Sequence, residues 1–194
     1  MGLLTMIAGL VLFLGLHILT TLRDTRAAVI ARLGESGYKI AYSITAIIGV
    51  YLIGRGFSIY RATEWVNVWY PPVALRHIAL GLMLPAIILV VSSYIRGRIY
   101  ATVKHPMLAG VKLWAVLHLL ANGDLGSIIL FGSILAWAVY DRISLKRRVD
   151  PGAPPIPVGG LGNDLIAVVV GTVAYLALAF AFHPLVIGVP VVGV

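Results

Sequence analysis

Residues 104–141 read KHPMLAGVKLWAVLHLLANGDLGSIILFGSILAWAVYD. Two apolar runs, 106–121 and 125–141, are separated only by Asn122-Gly123-Asp124. So short a connection forces the two runs to fold back on each other, which predicts a tight helical hairpin. Pro106 suits the first helical position, because the N–H it lacks would be unpaired there anyway. His105 then falls at or next to the N-cap. Polar groups inside apolar runs are costly unless something uses them. This run carries His105, Lys112 and His118, and their purpose is the central question of the sequence.

The rest of the chain has the same character. Of its 194 residues, 60% are hydrophobic and only 11% are charged, with a mean hydropathy of +1.00. A water-soluble domain carries about 25% charged residues. The deficit places the chain in the membrane class, with the lipid bilayer as its main partner. Its net charge of +8 could suggest nucleic acid. The basic residues instead cluster between apolar runs, which is a topology signal and speaks against a nucleic-acid partner. The chain has no cysteine, so disulfides, thiolate metal sites and cysteine nucleophiles are excluded.

A span needs about 20 apolar residues. Six candidates follow: 2–21, 38–56, 75–95, 106–121, 125–141 and 164–187. They predict a single all-α transmembrane domain over 1–194. The first run has no basic segment before it and no small-residue cleavage site after it, so it reads as a retained span. Eleven of the 15 Lys and Arg residues lie in the loops after spans one, three and five. That bias puts those loops in the cytoplasm and both termini in the periplasm. Trp65, Trp69, Tyr60 and Tyr70 supply an aromatic belt in the opposite loop. The stretch from Asp150 to Pro157 reads as a stiff, proline-rich connection. Residues 22–33 could form an amphipathic helix on the cytoplasmic surface.

The polar inventory of the spans is His17, His77, Lys112, His118 and His183, with His105 and Arg76 at span edges. The spans are read as free of carboxylates, which weighs against a carboxylate proton relay or a two-carboxylate acid–base site. At about 100° per residue, His105 and Lys112 share a face of their helix. His118 lies on another face with Met107, Val111 and Trp114. Bland roles are available to several of these groups: His105 as a helix cap, Lys112 as a snorkelling cation, and His77 and His183 as wetted interfacial residues. His17 and His118 have apolar neighbours and each needs a partner. Isolated histidines without cysteine or carboxylate suit haem better than zinc, since haem asks for one or two axial imidazoles and an apolar slot. Lys112, Arg23 or Arg76 could meet its propionates.

The pattern HPxxxGxxLWxxxHLLxNGD, from His105 to Asp124, resembles the signature of the NnrU family of bacterial membrane proteins. Gly15-Leu16-His17 with Leu22-Arg23-Asp24 is similar to that family's N-terminal segment. The resemblance spans essentially the whole chain and implies the inner membrane of a bacterium. NnrU proteins are similar to the plant 15-cis-zeta-carotene isomerase, a membrane haem b enzyme, so the resemblance implies haem b here. It places the axial ligands at His17 and His118. A further isomerase histidine, just after its second span, is replaced here by Gly54-Arg55-Gly56-Phe57. Family context links NnrU to nitrite and nitric oxide metabolism in denitrification.

Depth complicates that ligand pair. With the predicted topology and a rise of ~1.5 Å per residue, the Cα atoms of His17 and His118 differ in depth by roughly 10–15 Å. Depth alone pairs His17 with His105, and His118 with His77 or His183. Three functions stay open: a haem b protein of nitrogen-oxide metabolism, a haem-dependent cis–trans isomerase of a long, apolar isoprenoid polyene, and a non-catalytic assembly factor for a membrane oxidoreductase.

Overall fold

In the computed structural model, residues 1–148 and 156–192 are described. Seven α-helices follow in order: α1 (Gly2–Leu19), α2 (Arg23–Thr63), α3 (Val73–Ser92), α4 (Arg98–Val103), α5 (Pro106–Ala121), α6 (Leu125–Arg147) and α7 (Leu161–Ala177). A π-helical segment, Leu178–Ile187, continues α7. No strand occurs among the described residues; the only pairing of that kind is one antiparallel bridge between Asn67 and Asp124. Asp150 to Pro155 of the proline-rich connection lie outside the described residues.

Among the described residues, five helices are long and apolar enough to cross a membrane: α1, α2, α3, α6, and α7 with its π-helical continuation. The expected fourth span, 106–121, is α5, which has 16 residues. At ~1.5 Å per residue it covers about 24 Å, short of the ~30 Å hydrocarbon core. Its limits are set by Pro106, which sits in the first helical turn, and by Asn122, which leaves the helical region. The second predicted span is part of a much longer element. Helix α2 runs for 41 residues and breaks at Gly34, whose φ of 71° and ψ of 163° are not helical. The break separates a limb over 23–33 from one over 35–63, so the expected surface helix is a distinct arm.

The helices group into two compact units. The first comprises Met1–Trp69 and Gly123–Arg147, the second Tyr70–Asn122 and Arg148–Val194. In lipid, apolar surface gains little by meeting apolar surface, so helices associate where small residues let backbones approach. The first unit does this with glycines seven residues apart on two helices: Gly2 and Gly9 on α1, Gly49 and Gly56 on α2. A Cβ on Gly9 would stand 2.6 Å from the Ile53 nitrogen and 2.7 Å from the Gly49 oxygen. One on Gly56 would fall on the Met6 backbone, and one on Gly2 on the Tyr60 amide. Glu64 then closes the start of α1. Its carboxylate accepts the N–H groups of Gly2 at 2.6 Å and Leu3 at 3.1 Å, and it meets the Met1 ammonium. These are first-turn donors with no partner inside the helix, at the positive end of its dipole. They hold the Glu64 carboxyl well below the usual range, at about 2.

The second unit uses the same principle once per contact. On α5, a Cβ at Gly110 would stand 2.7 Å from the Ala86 oxygen of α3. On α7, one at Gly171 would stand 2.8 Å from Ile88 Cγ1. The Tyr175 hydroxyl donates to the Leu80 carbonyl at 3.1 Å, tying α7 to α3.

Candidate functional site

Each unit holds one of the two histidines singled out in the sequence. In the first unit, His17 lies near the C-terminal end of α1. Its Nδ1 is 2.7 Å from the carbonyl oxygen of Phe13, one turn earlier. A carbonyl only accepts, so Nδ1 carries the hydrogen and the neutral ring's lone pair is on Nε2. Three aromatic rings surround the imidazole: Phe13 at 4.2 Å between centroids, Trp137 of α6 at 5.0 Å and nearly edge-on, and Tyr42 of α2 at 5.7 Å. The Trp137 indole N–H is buried and has no acceptor, and the Tyr38 hydroxyl is buried in the same state. Buried donors are almost always paired, so two orphans in one neighbourhood call for an explanation. Tyr38 and Tyr42 also line an apolar cavity of about 100 Å³ with Leu16, Leu19, Val29 and Leu33. Arg26 stacks over the Tyr38 ring at 5.5 Å. Arg23 is exposed in the first turn of α2, so the arginine that enters this centre is Arg26.

In the second unit, His118 lies near the end of α5. Its Nδ1 is 2.9 Å from the Trp114 carbonyl oxygen, again one turn back, so its lone pair is also on Nε2. The Trp114 ring packs on the imidazole at 4.7 Å. His183, from the π-helical segment, brings its ring centre to 6.4 Å from that of His118, and the two planes are within 19° of parallel. Lys112 is half-buried on α5, while Arg76 and His77 are exposed in the first turns of α3. His105 holds the N-cap position of α5, but its imidazole makes no capping bond; the backbone carbonyl accepts the Ala109 N–H at 3.1 Å instead. Just before it, Lys104 has φ 65° and ψ −38°, and the His105 N–H reaches back to the Val103 carbonyl at 2.8 Å. That is a γ-turn of the strained hand on a residue with a side chain.

The Asn-Gly-Asp signature is structural. Asn122 donates its side-chain amide to the His118 carbonyl at 2.9 Å and so closes α5 over that histidine's own backbone. The Gly123 carbonyl accepts from Val68 and Trp69, and the Leu125 N–H donates to Val66. Asp124, 1% exposed, caps α6 by accepting the Ser127 N–H at 2.9 Å.

The expectation of carboxylate-free spans fails at the ends of two helices. Asp141 lies inside α6, and Asp164 lies in the first turn of α7. Asp164 is buried and accepts the N–H groups of Arg98 and Ile99, both at 3.0 Å. It caps the short helix α4 from a distance. Sequence reading also missed Trp137, Tyr42, Tyr38 and Arg26, whose proximity to His17 depends on helix pairing. The aromatic content of α6 beside a retained polar residue was the only available hint.

The family described as NnrU protein matches residues 5–191. This chain belongs to the NnrU family. NnrU membership and the apolar helices agree on a multi-pass membrane protein. The comparisons find no match among curated proteins and none among solved structures. The centres of this NnrU chain can be tested for fit to the haem that the resemblance implies. No group of three or more His, Asp or Glu among the described residues could hold a bare metal ion. Haem needs only one or two protein ligands. A ligating histidine also needs its other ring nitrogen held by a carbonyl or carboxylate, and both His17 and His118 have this. The orphaned Trp137 N–H beside His17 adds a donor suited to a bound polar group. The residues fit.

Proposed function

We propose that the protein is an integral membrane haem b protein of nitrite and nitric oxide metabolism, with His17 in the first unit and His118 in the second as its candidate imidazole ligands. One observation carries the reading: in both units, the sequence-selected histidine has its Nδ1 held by a carbonyl of its own helix, the arrangement that orients a ligating imidazole. Bound haem would supply an iron centre able to take nitric oxide or pass an electron. The chain's part is to fix each imidazole in one tautomer, to exclude water with Phe13, Tyr42 and Trp114, and to offer the Trp137 N–H as a hydrogen-bond donor. Half-buried Lys112 is a candidate partner for a propionate.

The isomerase alternative draws less support. The cavity next to His17 measures about 100 Å³, whereas pockets that enclose a drug-sized ligand run to about 300–1,000 Å³. The assembly-factor reading makes the histidines packing residues and leaves the Trp137 orphan unexplained.

The test is an optical spectrum of the purified protein after haem-supplemented expression. A Soret band that weakens in His17→Ala or His118→Ala is expected. A wild type with no Soret band overturns the proposal.

A further inference from the structure

The sequence offers the arm over 23–33 only a place on the membrane surface, and the NnrU resemblance gives it no task. Its attachment is unusual. Gly34 joins it to the second limb of α2 with φ 71° and ψ 163°, a backbone state essentially confined to glycine. An unbroken helix would carry the arm away along the axis of 35–63. The break turns it aside instead, so that its Val29 and Leu33 meet Leu16 and Leu19 of α1 and Tyr38 and Tyr42 of α2 around the cavity of about 100 Å³. Arg26 of the arm also rests over the Tyr38 ring, at 5.5 Å. All of these residues belong to the first unit.

The lining defines its guest. None of the lining residues is charged, so a charged guest would lose its hydration without compensation. Aliphatic side chains and two phenol rings favour a flat apolar body. One polar need remains inside this apolar wall: Tyr38 is only 7% exposed, and its hydroxyl has no hydrogen-bond partner. A hydroxyl buried in that state costs free energy that an acceptor oxygen on a guest recovers. A lipid acyl chain fills such a space but leaves the hydroxyl unpaired. An enclosed apolar cavity of about 150 Å³ takes one benzene ring. This one is smaller but partly open, so it can seat a single ring whose remainder lies in lipid.

We propose that the arm closes a binding site for a neutral, lipid-soluble molecule of the quinone class, its ring in the cavity, one carbonyl accepting from Tyr38 and its tail in the bilayer. The site does not rest on the haem reading. Tyr42 borders both places, lining the cavity while its ring lies 5.7 Å from that of His17.

The test uses the full-length protein in lipid nanodiscs, with protein-free nanodiscs as the blank. Binding of 2,6-dimethyl-1,4-benzoquinone is measured by equilibrium dialysis. The wild type is expected to bind it saturably. Tyr38→Phe keeps the ring and removes only the donor, and should weaken binding by about 3- to 10-fold. Leu33→Trp fills the cavity and should abolish binding. Gly34→Ala puts a Cβ where the backbone state excludes one, and should weaken binding by displacing the arm. Para-xylene, with the same ring and methyl groups but no oxygen, should bind more weakly than the quinone and equally to wild type and Tyr38→Phe. Absence of saturable quinone binding to the wild type overturns the proposal. So does binding that Tyr38→Phe and Leu33→Trp both leave unchanged, because the quinone then sits elsewhere. Para-xylene binding as tight as the quinone's overturns it too, by making the cavity a seat for any apolar group. Unchanged binding in Gly34→Ala overturns the arm's part in the site.

Discussion

The two histidine centres solve one chemical problem with different neighbours. Both hold Nδ1 on a backbone carbonyl one turn back. Around His17 the neighbours are aromatic rings, and the polar capacity lies in an indole N–H and a phenol without partners. Around His118 the polar neighbour is another imidazole. The first arrangement sets one imidazole among aromatic rings and unpaired hydrogen-bond donors, and the second sets two imidazoles side by side.

The largest effect should come from His118→Ala. On the proposed reading, removing this imidazole should lower bound haem by about 10-fold or more, at least what the loss of a supporting partner costs. Haem content per protein, by pyridine haemochrome assay, measures it. Equal haem in the variant and the wild type would dissolve the contrast between the centres.

Next in size is Gly56→Leu. This position meets the backbone of Met6, so a side chain must force α1 and α2 apart. Overpacking of this kind costs about 1–3 kcal/mol. Unfolding in detergent, followed by tryptophan fluorescence, should show the loss. An unchanged midpoint would mean that the glycine seam does not hold the first unit.

A smaller effect, of opposite sign, is expected for Trp137→Phe. An unpaired buried donor costs about 1–3 kcal/mol, so removing it from the empty protein should be neutral or slightly stabilising. In the haem-loaded protein the same change should be unfavourable if the N–H has found its acceptor. Melting curves with and without haem distinguish these cases, and a large loss in the empty protein would show that the N–H was already paired.

Smallest is the response of Glu64 to acid. Its folded-state pKa is depressed to about 2. The stabilisation it gives the start of α1 is therefore full above the ordinary carboxyl range and is lost as pH falls from about 4.5 towards 2. Amide exchange at Gly2 and Leu3 should accelerate, relative to the rest of α1, across that window. Glu64→Gln should abolish the pH dependence.

Apolar runs and their punctuation made most of the fold readable. Pro106 and Asn122-Gly123-Asp124 mark helix ends by local chemistry, and local chemistry needs no partner. The break at Gly34 was legible only as a change from a charged arm to an apolar span. Pairings between helices were not readable: the one expected, a hairpin of 106–121 with 125–141, falls across the division between the two units. Trp137 is 120 positions from His17, and no pattern in either segment states that the two meet. His118 and His183 were among the pairs that depth allowed, but the π-helical turn that places His183 has no sequence mark beyond Pro184. Asp164 was missed because a carboxylate at a helix start serves the helix it caps, here α4, and that helix lies elsewhere in the chain.

The glycine seam has a consequence for the order of synthesis. Everything needed to pack α1 on α2 lies within the first 63 residues, so this hairpin can form while the ribosome is still making the rest. The histidine centres cannot. His17 waits for α6 to bring Trp137, and His118 waits for the last segment to bring His183. A nascent chain thus has its scaffold early and its two histidine centres late.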